Sequence, residues 1–109
     1  MMETIHFNLE EMQTAASQAC RLLKVLANQD RLIILCQLSK GEMCVGEIEA
    51  LLGITQPTLS QQLTVLREEA LVSSRREGKN IFYQMNDPKA LAVMGVLYAL
   101  FCNQNKGKK

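Results

Sequence analysis

The stretch Leu51–Val72, LLGITQPTLSQQLTVLREEALV, decides the fold. Leu51 and Leu52 end a short apolar helix that stops at Gly53. Ile54 then bridges to Thr55-Gln56-Pro57, where a second helix starts and runs through Leu66. A Gly just past one helix, followed by a cap residue and a Pro at the start of the next, marks two helices joined by a tight turn. Leu59, Leu63 and Leu66 fall at i, i+4 and i+7, so they share one inward stripe. Pro57, Thr58, Gln61 and Thr64 take the opposite face, Gln56 projects from the first turn, and Ser60 and Gln62 flank it. An exposed helix bearing hydroxyls and amides, with almost no charge before Arg67, suits entry into a groove where base edges and phosphates accept hydrogen bonds. The plainer reading is a helical hairpin with a solvated polar face.

Upstream, Leu9, Met12, Ala16, Ala19, Leu23 and Leu26 form a helical stripe broadened by Leu22 and Val25. Asn28-Gln29-Asp30 interrupts it, and Asp30 is expected to cap a second helix that contains RLIILCQL and ends at Lys40-Gly41. That segment is apolar nearly all round, which predicts burial, with Cys36 as core packing. Cys20, on or beside the first stripe, reads the same way. A third helix follows Glu42–Gly46, with Ile48, Leu51 and Leu52 inward.

Downstream, Leu71–Arg76 and Ile81–Met85 read as two strands joined by Glu77-Gly78-Lys79-Asn80, a hairpin. Arg75, Arg76 and Lys79 make its tip basic, a ribbon placed to meet a phosphate backbone or simply a solvated tip. Asn86 or Asp87 caps a last helix with Pro88 in its first turn. Its ALAVMGVLYALFC run, Ala90–Cys102, has almost no polar face, so it should be covered on both sides. The expectation is a homodimer built on the first and last helices.

At 109 residues the chain fits one domain, 1–109, with 1–8 and 103–109 expected to be flexible. Hydrophobic content of 48% is generous for that length and points to apolar surface buried against a partner. A net charge of +1 disfavours binding nucleic acid by bulk charge alone, leaving local geometry to do it. No run is long enough for a membrane span, and MMETIHFNLEE lacks a signal-peptide pattern, so a cytoplasmic location is expected. There the four cysteines Cys20, Cys36, Cys44 and Cys102 are thiols by default. No Cys-x-x-Cys, catalytic Cys/His set or Gly-rich phosphate loop is present, which excludes the obvious enzyme classes, and no cofactor is expected.

Three helices, a turn, a reading helix, a two-stranded wing and a last helix make a mainly α winged helix-turn-helix. At LLKVLANQDRLIILCQL, EMCVGEIEALLGITQPTLSQQLTVLREEALV and SSRREGKNIFYQMND, the chain resembles the ArsR/SmtB family of small dimeric bacterial repressors. The resemblance covers roughly residues 20–87. It implies double-stranded operator DNA as partner, with Gln56, Thr58, Ser60 and Gln61 facing the major groove and Arg75 and Lys79 of the wing meeting backbone or minor groove. Pro57 departs from the hydroxyl residue common at that position; it preorganises the helix start but removes a donor.

Metal-sensing relatives carry Cys-x-Cys before the turn, where this chain has Cys44 and Gly46, or an Asp/His/Glu set on the last helix, where it has none. His6 is the sole histidine, and one thiolate without imidazole is a poor zinc site, so no metal site is expected. Cys44 and Cys102 resemble the thiol pair of the BigR/SqrR/HlyU-type subgroup, which senses persulfides or oxidants. That resemblance implies a sulfur bridge between Cys44 and Cys102 within one protomer that weakens operator binding. The alternatives are a repressor sensing a thiophilic metal or metalloid such as As(III), and, outside the class, a protein-interaction module.

Overall fold

In the computed structural model, which describes residues 8–103, Asn8 opens the first helix with a capping box. Its side chain accepts from the Glu11 N–H at 2.7 Å, and Glu11 Oε1 accepts from the Asn8 N–H at 3.4 Å, satisfying two donors that a helix start otherwise leaves bare. Apart from Asn8 and Asn103, the segments expected to be flexible lie outside the described residues, as does His6. α1 (Leu9–Leu26) buries only Val25 and Leu26; Leu9, Met12, Ala16, Ala19 and Leu23 of the expected inward stripe are exposed in the protomer, and so is Cys20.

α2 (Gln29–Leu38) corrects the expected cap. Asn28, not Asp30, is the last extended residue, and its side chain accepts from the Arg31 N–H at 3.0 Å. A cap must precede the helical dihedrals, so Asp30 falls in the first turn, where its carboxylate meets the positive end of the helix dipole. Ile34, Leu35 and Leu38 enter the core.

A short strand that sequence reading missed comes next. β1 (Met43–Cys44) leads straight into α3 (Val45–Leu52). Ile48 is fully buried and Leu52 packs against the core, but Leu51 is 58% exposed. Val45, Ile48 and Leu52 complete the narrow inward arc of so short a helix, and Leu51 falls outside it.

Gly53 closes α3 in the left-handed conformation, φ +71°, and its N–H donates to the Glu49 carbonyl at 2.9 Å. α4 (Gln56–Glu68) runs two residues past Leu66, with Thr55 at the N-cap and Pro57 in the first turn. Leu59, Leu63 and Leu66 are buried, as their spacing requires. The far end of α4 is a Schellman motif: the Ala70 N–H donates to the Arg67 carbonyl and the Leu71 N–H to the Leu66 carbonyl, both at 3.0 Å, with Ala70 at φ +64°. The chain reverses there and drops Leu71 into the core.

β2 (Val72–Glu77) and β3 (Asn80–Met85) pair antiparallel from Val72↔Met85 out to Glu77↔Asn80, which shortens the connection to Gly78-Lys79. Gly78, at φ +63°, occupies the first central position of this two-residue turn. β1 adds to the other side of β3 with Met43↔Tyr83 and Cys44↔Phe82, so the sheet order is β1-β3-β2. α5 (Pro88–Leu97) is capped by Asp87, whose carboxylate accepts from the Lys89 N–H at 2.9 Å. It continues as a π-helical segment, Tyr98–Asn103. The fold is a winged helix-turn-helix, α3-turn-α4 followed by the β2-β3 wing. No helix among the described residues is long and apolar enough to cross a membrane.

Candidate functional site

Two surfaces carry the chemistry. The first is the outer face of α4. Its inward stripe fixes the helix against the core, leaving Gln56, Ser60, Gln61 and Thr64 exposed and Thr58 half-buried. Gln56 is already oriented: its amide nitrogen donates to Glu49 Oε1 at 3.3 Å, and its amide oxygen accepts from the Ser60 hydroxyl at 3.0 Å. Gln56, Ser60 and Thr64 line a groove of about 450 Å³ together with Lys79 of the wing. Reading helix and wing tip therefore present amides, hydroxyls and a cation to one space, the donor set that base edges and phosphates accept.

Arg75 stands apart from that groove. Its guanidinium makes a two-pronged contact with Glu42, Nε to Oε2 at 2.8 Å and Nη2 to Oε1 at 2.9 Å, and a third with Glu77 at 3.1 Å. The guanidinium carbon lies 4.5 Å from the centre of the Phe82 ring. The Arg75 hydrogen bond holds the Glu42 carboxyl below its ordinary range, with partial desolvation opposing the shift. The hydrogen bonds to Glu42 and then Glu77 raise Arg75 in turn. The wing cations without an ion pair among the described residues are Arg76 and Lys79.

The second surface is an apolar groove of about 680 Å³ between α2 and α5. Leu32, Ile33 and Cys36 line it from α2; Leu91, Met94 and Gly95 from α5; Tyr98, Phe101 and Cys102 from the π-helical segment. Phe101 and Cys102 lie in the π-helical segment, a geometry frequent at functional positions. Cys102 is exposed and Cys36 half-buried. The thiol that shares the groove with Cys102 is thus Cys36, which sequence reading assigned to core packing. A signal was present: Cys36 follows Leu32 and Ile33 by four and three positions and precedes Ser39 and Lys40 by the same steps, so its stripe runs out into polar residues.

Cys44 lies elsewhere. It is the N-cap residue of α3, its N–H donates to Glu47 Oε1 at 3.0 Å, and in the sheet it sits beside Phe82, which in turn pairs with Arg75. Cross-strand partners share a face, so the Cys44 thiol belongs to the sheet surface that carries Arg75. It does not line the α2/α5 groove. Among the described residues no three His, Cys, Asp or Glu side chains cluster as a metal would require.

Comparison with known proteins follows the same lines. The model of the bacterial regulatory protein, arsR family, matches residues 28–74, from the cap of α2 into the wing. The biofilm growth-associated repressor of Xylella fastidiosa is 46% identical over 101 residues, covering 93% of this chain and 89% of that protein. The crystal structure of BigR, a transcriptional repressor from the same species, superposes with a TM-score of 0.81 at 46% identity, over 88% of this chain and 98% of that one. The transcriptional activator HlyU of Vibrio cholerae is 39% identical over 99 residues, 91% of this chain and 92% of its own length.

Proposed function

Since the chain belongs to the arsR family of bacterial regulatory proteins, we propose that it is a homodimeric repressor that releases operator DNA when two thiols are bridged by persulfides or oxidants. The relatives described above regulate transcription, and none is a catalyst by its name. Each reading helix addresses one half of a pseudo-palindromic operator, the halves about one helical turn apart. Gln56, Thr58, Ser60 and Gln61 supply the major-groove contacts, and Lys79, with Arg76, the phosphate contacts. Arg75 reaches DNA only by exchanging Glu42 for phosphate.

The observation that carries the sensing role is the shared α2/α5 groove. Of the two thiols that line the groove, Cys102 is the exposed one and the first to react. Its thiolate takes the outer sulfur of a persulfide RSSH and expels RSH, giving Cys102–S–SH. The Cys36 thiolate then attacks the inner sulfur, expelling hydrogen sulfide and leaving a Cys36–Cys102 disulfide. An oxidant reaches the same bridge by removing two electrons and two protons. A disulfide holds its Cα atoms about 4.4–6.8 Å apart, so a bridge would fix α2 against the C-terminal helix across the groove. This replaces the Cys44–Cys102 pairing as the favoured bridge, because Cys44 faces another surface.

The test is operator affinity before and after treatment with glutathione persulfide, with intact mass recorded alongside. Cys36→Ser and Cys102→Ser proteins should bind DNA and ignore the persulfide, while Cys44→Ser responds like the parent. A Cys44→Ser protein that no longer responds, beside a responsive Cys36→Ser, would restore the Cys44 pairing. Loss of two protons or gain of sulfur marks thiol chemistry; an added metalloid mass after As(III) treatment, with DNA release, would favour the metalloid sensor.

A further inference from the structure

The end of α1 raises a physical question that the DNA and thiol surfaces do not answer. A helix leaves its last four carbonyls without intrahelical partners. Here two are met by the following turn: Leu23 accepts from the Ala27 N–H and Leu26 from the Asn28 N–H, at 2.9 and 2.8 Å. The other two are met by one side chain on the next helix. Arg31 Nε donates to the Val25 carbonyl at 2.6 Å, and Nη2 to the Lys24 carbonyl at 3.4 Å. A guanidinium at that negative helix end is favoured electrostatically as well.

The remaining terminal nitrogen goes further. Arg31 Nη1 donates to Gln62 Oε1 at 2.9 Å, across 31 positions of chain. Gln62 is half-buried on the flank of α4, between the reading face and the core stripe. One planar, fixed-geometry group therefore ties the end of α1, the start of α2 and the middle of the reading helix. The same α2 carries Cys36 five residues on, about 7.5 Å along the axis. Both residues lie on one continuous ten-residue helix, so a displacement imposed at Cys36 would be carried to Arg31.

We infer that the Arg31–Gln62 hydrogen bond is the link through which the state of the α2/α5 thiols sets the pose of the reading helix. The inference rests on the dithiol reading of the groove. Gln62 is a positioning residue here: it acts on α4 and need not touch DNA. A hydrogen bond to a charged partner corresponds to roughly ten- to hundredfold in an equilibrium constant, which is the scale of a repressor's response.

The experiment measures operator affinity for the parent, Gln62→Leu and Gln62→Glu proteins, each fully reduced and each bridged with diamide, with bridging verified by intact mass. The readout is the ratio of the two affinities, which cancels any change in basal binding. Gln62→Leu removes the acceptor, and its ratio should fall below about threefold where the parent shows tenfold or more. Gln62→Glu keeps an acceptor and strengthens it, so its ratio should match or exceed the parent's. A Gln62→Leu ratio equal to the parent's overturns the inference and sends the coupling through the apolar α2–α4 contact. So does a Gln62→Glu protein that behaves like Gln62→Leu. A parent that bridges without losing DNA overturns both readings and marks the thiol response as the one that failed.

Discussion

Ala70 holds φ +64°, the left-handed conformation in which a Cβ crowds the neighbouring carbonyl oxygen at a cost of roughly 1–2 kcal/mol. The position is the one glycine usually takes at the end of a Schellman motif. It persists because two backbone hydrogen bonds and the burial of Leu71 over-determine it. Ala70→Gly should change stability by less than about 1 kcal/mol, since relief of crowding is offset by about 0.4–1 kcal/mol of added unfolded-chain entropy. Ala70→Val places a β-branched side chain in the same conformation and should lose about 1–3 kcal/mol. Urea denaturation of the two variants checks the gap. Pro57 shows the opposite economy: its fixed φ suits the first turn of α4, where its missing N–H had no intrahelical acceptor.

The β1–β3–β2 sheet depends on a contact between elements, Glu42 to Arg75, that bridges the segment before β1 and the wing. Glu42 has its carboxyl lowered in the folded state, chiefly by the Arg75 hydrogen bond. A depressed carboxylate contributes stability above its ordinary pKa of 4.5 and loses it as pH falls through the lower, folded value. The Tm difference between the parent and Glu42→Gln should therefore be present at neutral pH and vanish in acid. A difference that persists at pH 2 would contradict the assignment. Sequence made some of these elements plain and hid others. Leu59, Leu63 and Leu66 announced α4 because three residues at helical spacing leave one face polar. β1 stayed hidden because two residues cannot display an alternation, and the strand that pairs with them comes some 40 positions later. Cys36 packs against the core, as expected, and also lines the α2/α5 groove; that second contact was hard to read because RLIILCQL is apolar on nearly every side.

Taken as a whole, the chain is thin, 51 × 39 × 20 Å, with a radius of gyration of 16.4 Å against about 13 Å for a compact domain of this length. Most of its exposed large apolar residues lie on α1 and towards the C-terminal end, where Leu23 is 57% and Phe101 64% exposed. Faces of that kind, in one short chain, are expected to be covered by a second copy. Leu23→Glu and Val96→Glu should each shift the light-scattering mass from two chains toward one, and operator binding should weaken in parallel. A parent protein that is monomeric at micromolar concentration would contradict this. Arg75 has one more consequence at this scale. DNA carries a condensed layer of counterions, and a protein displaces them only with cations not already neutralised by its own carboxylates. With Arg75 held by Glu42 and Glu77, the wing would bring Arg76 and Lys79 to that exchange and keep its third charge in reserve. Replacing both partners, Glu42→Ala with Glu77→Ala, should release the reserve and steepen the plot of log K against log salt by about 0.9 for each added phosphate contact. In the proposed repressor, the clamp on Arg75 would make operator occupancy less responsive to ionic strength, leaving more of its variation to the thiols.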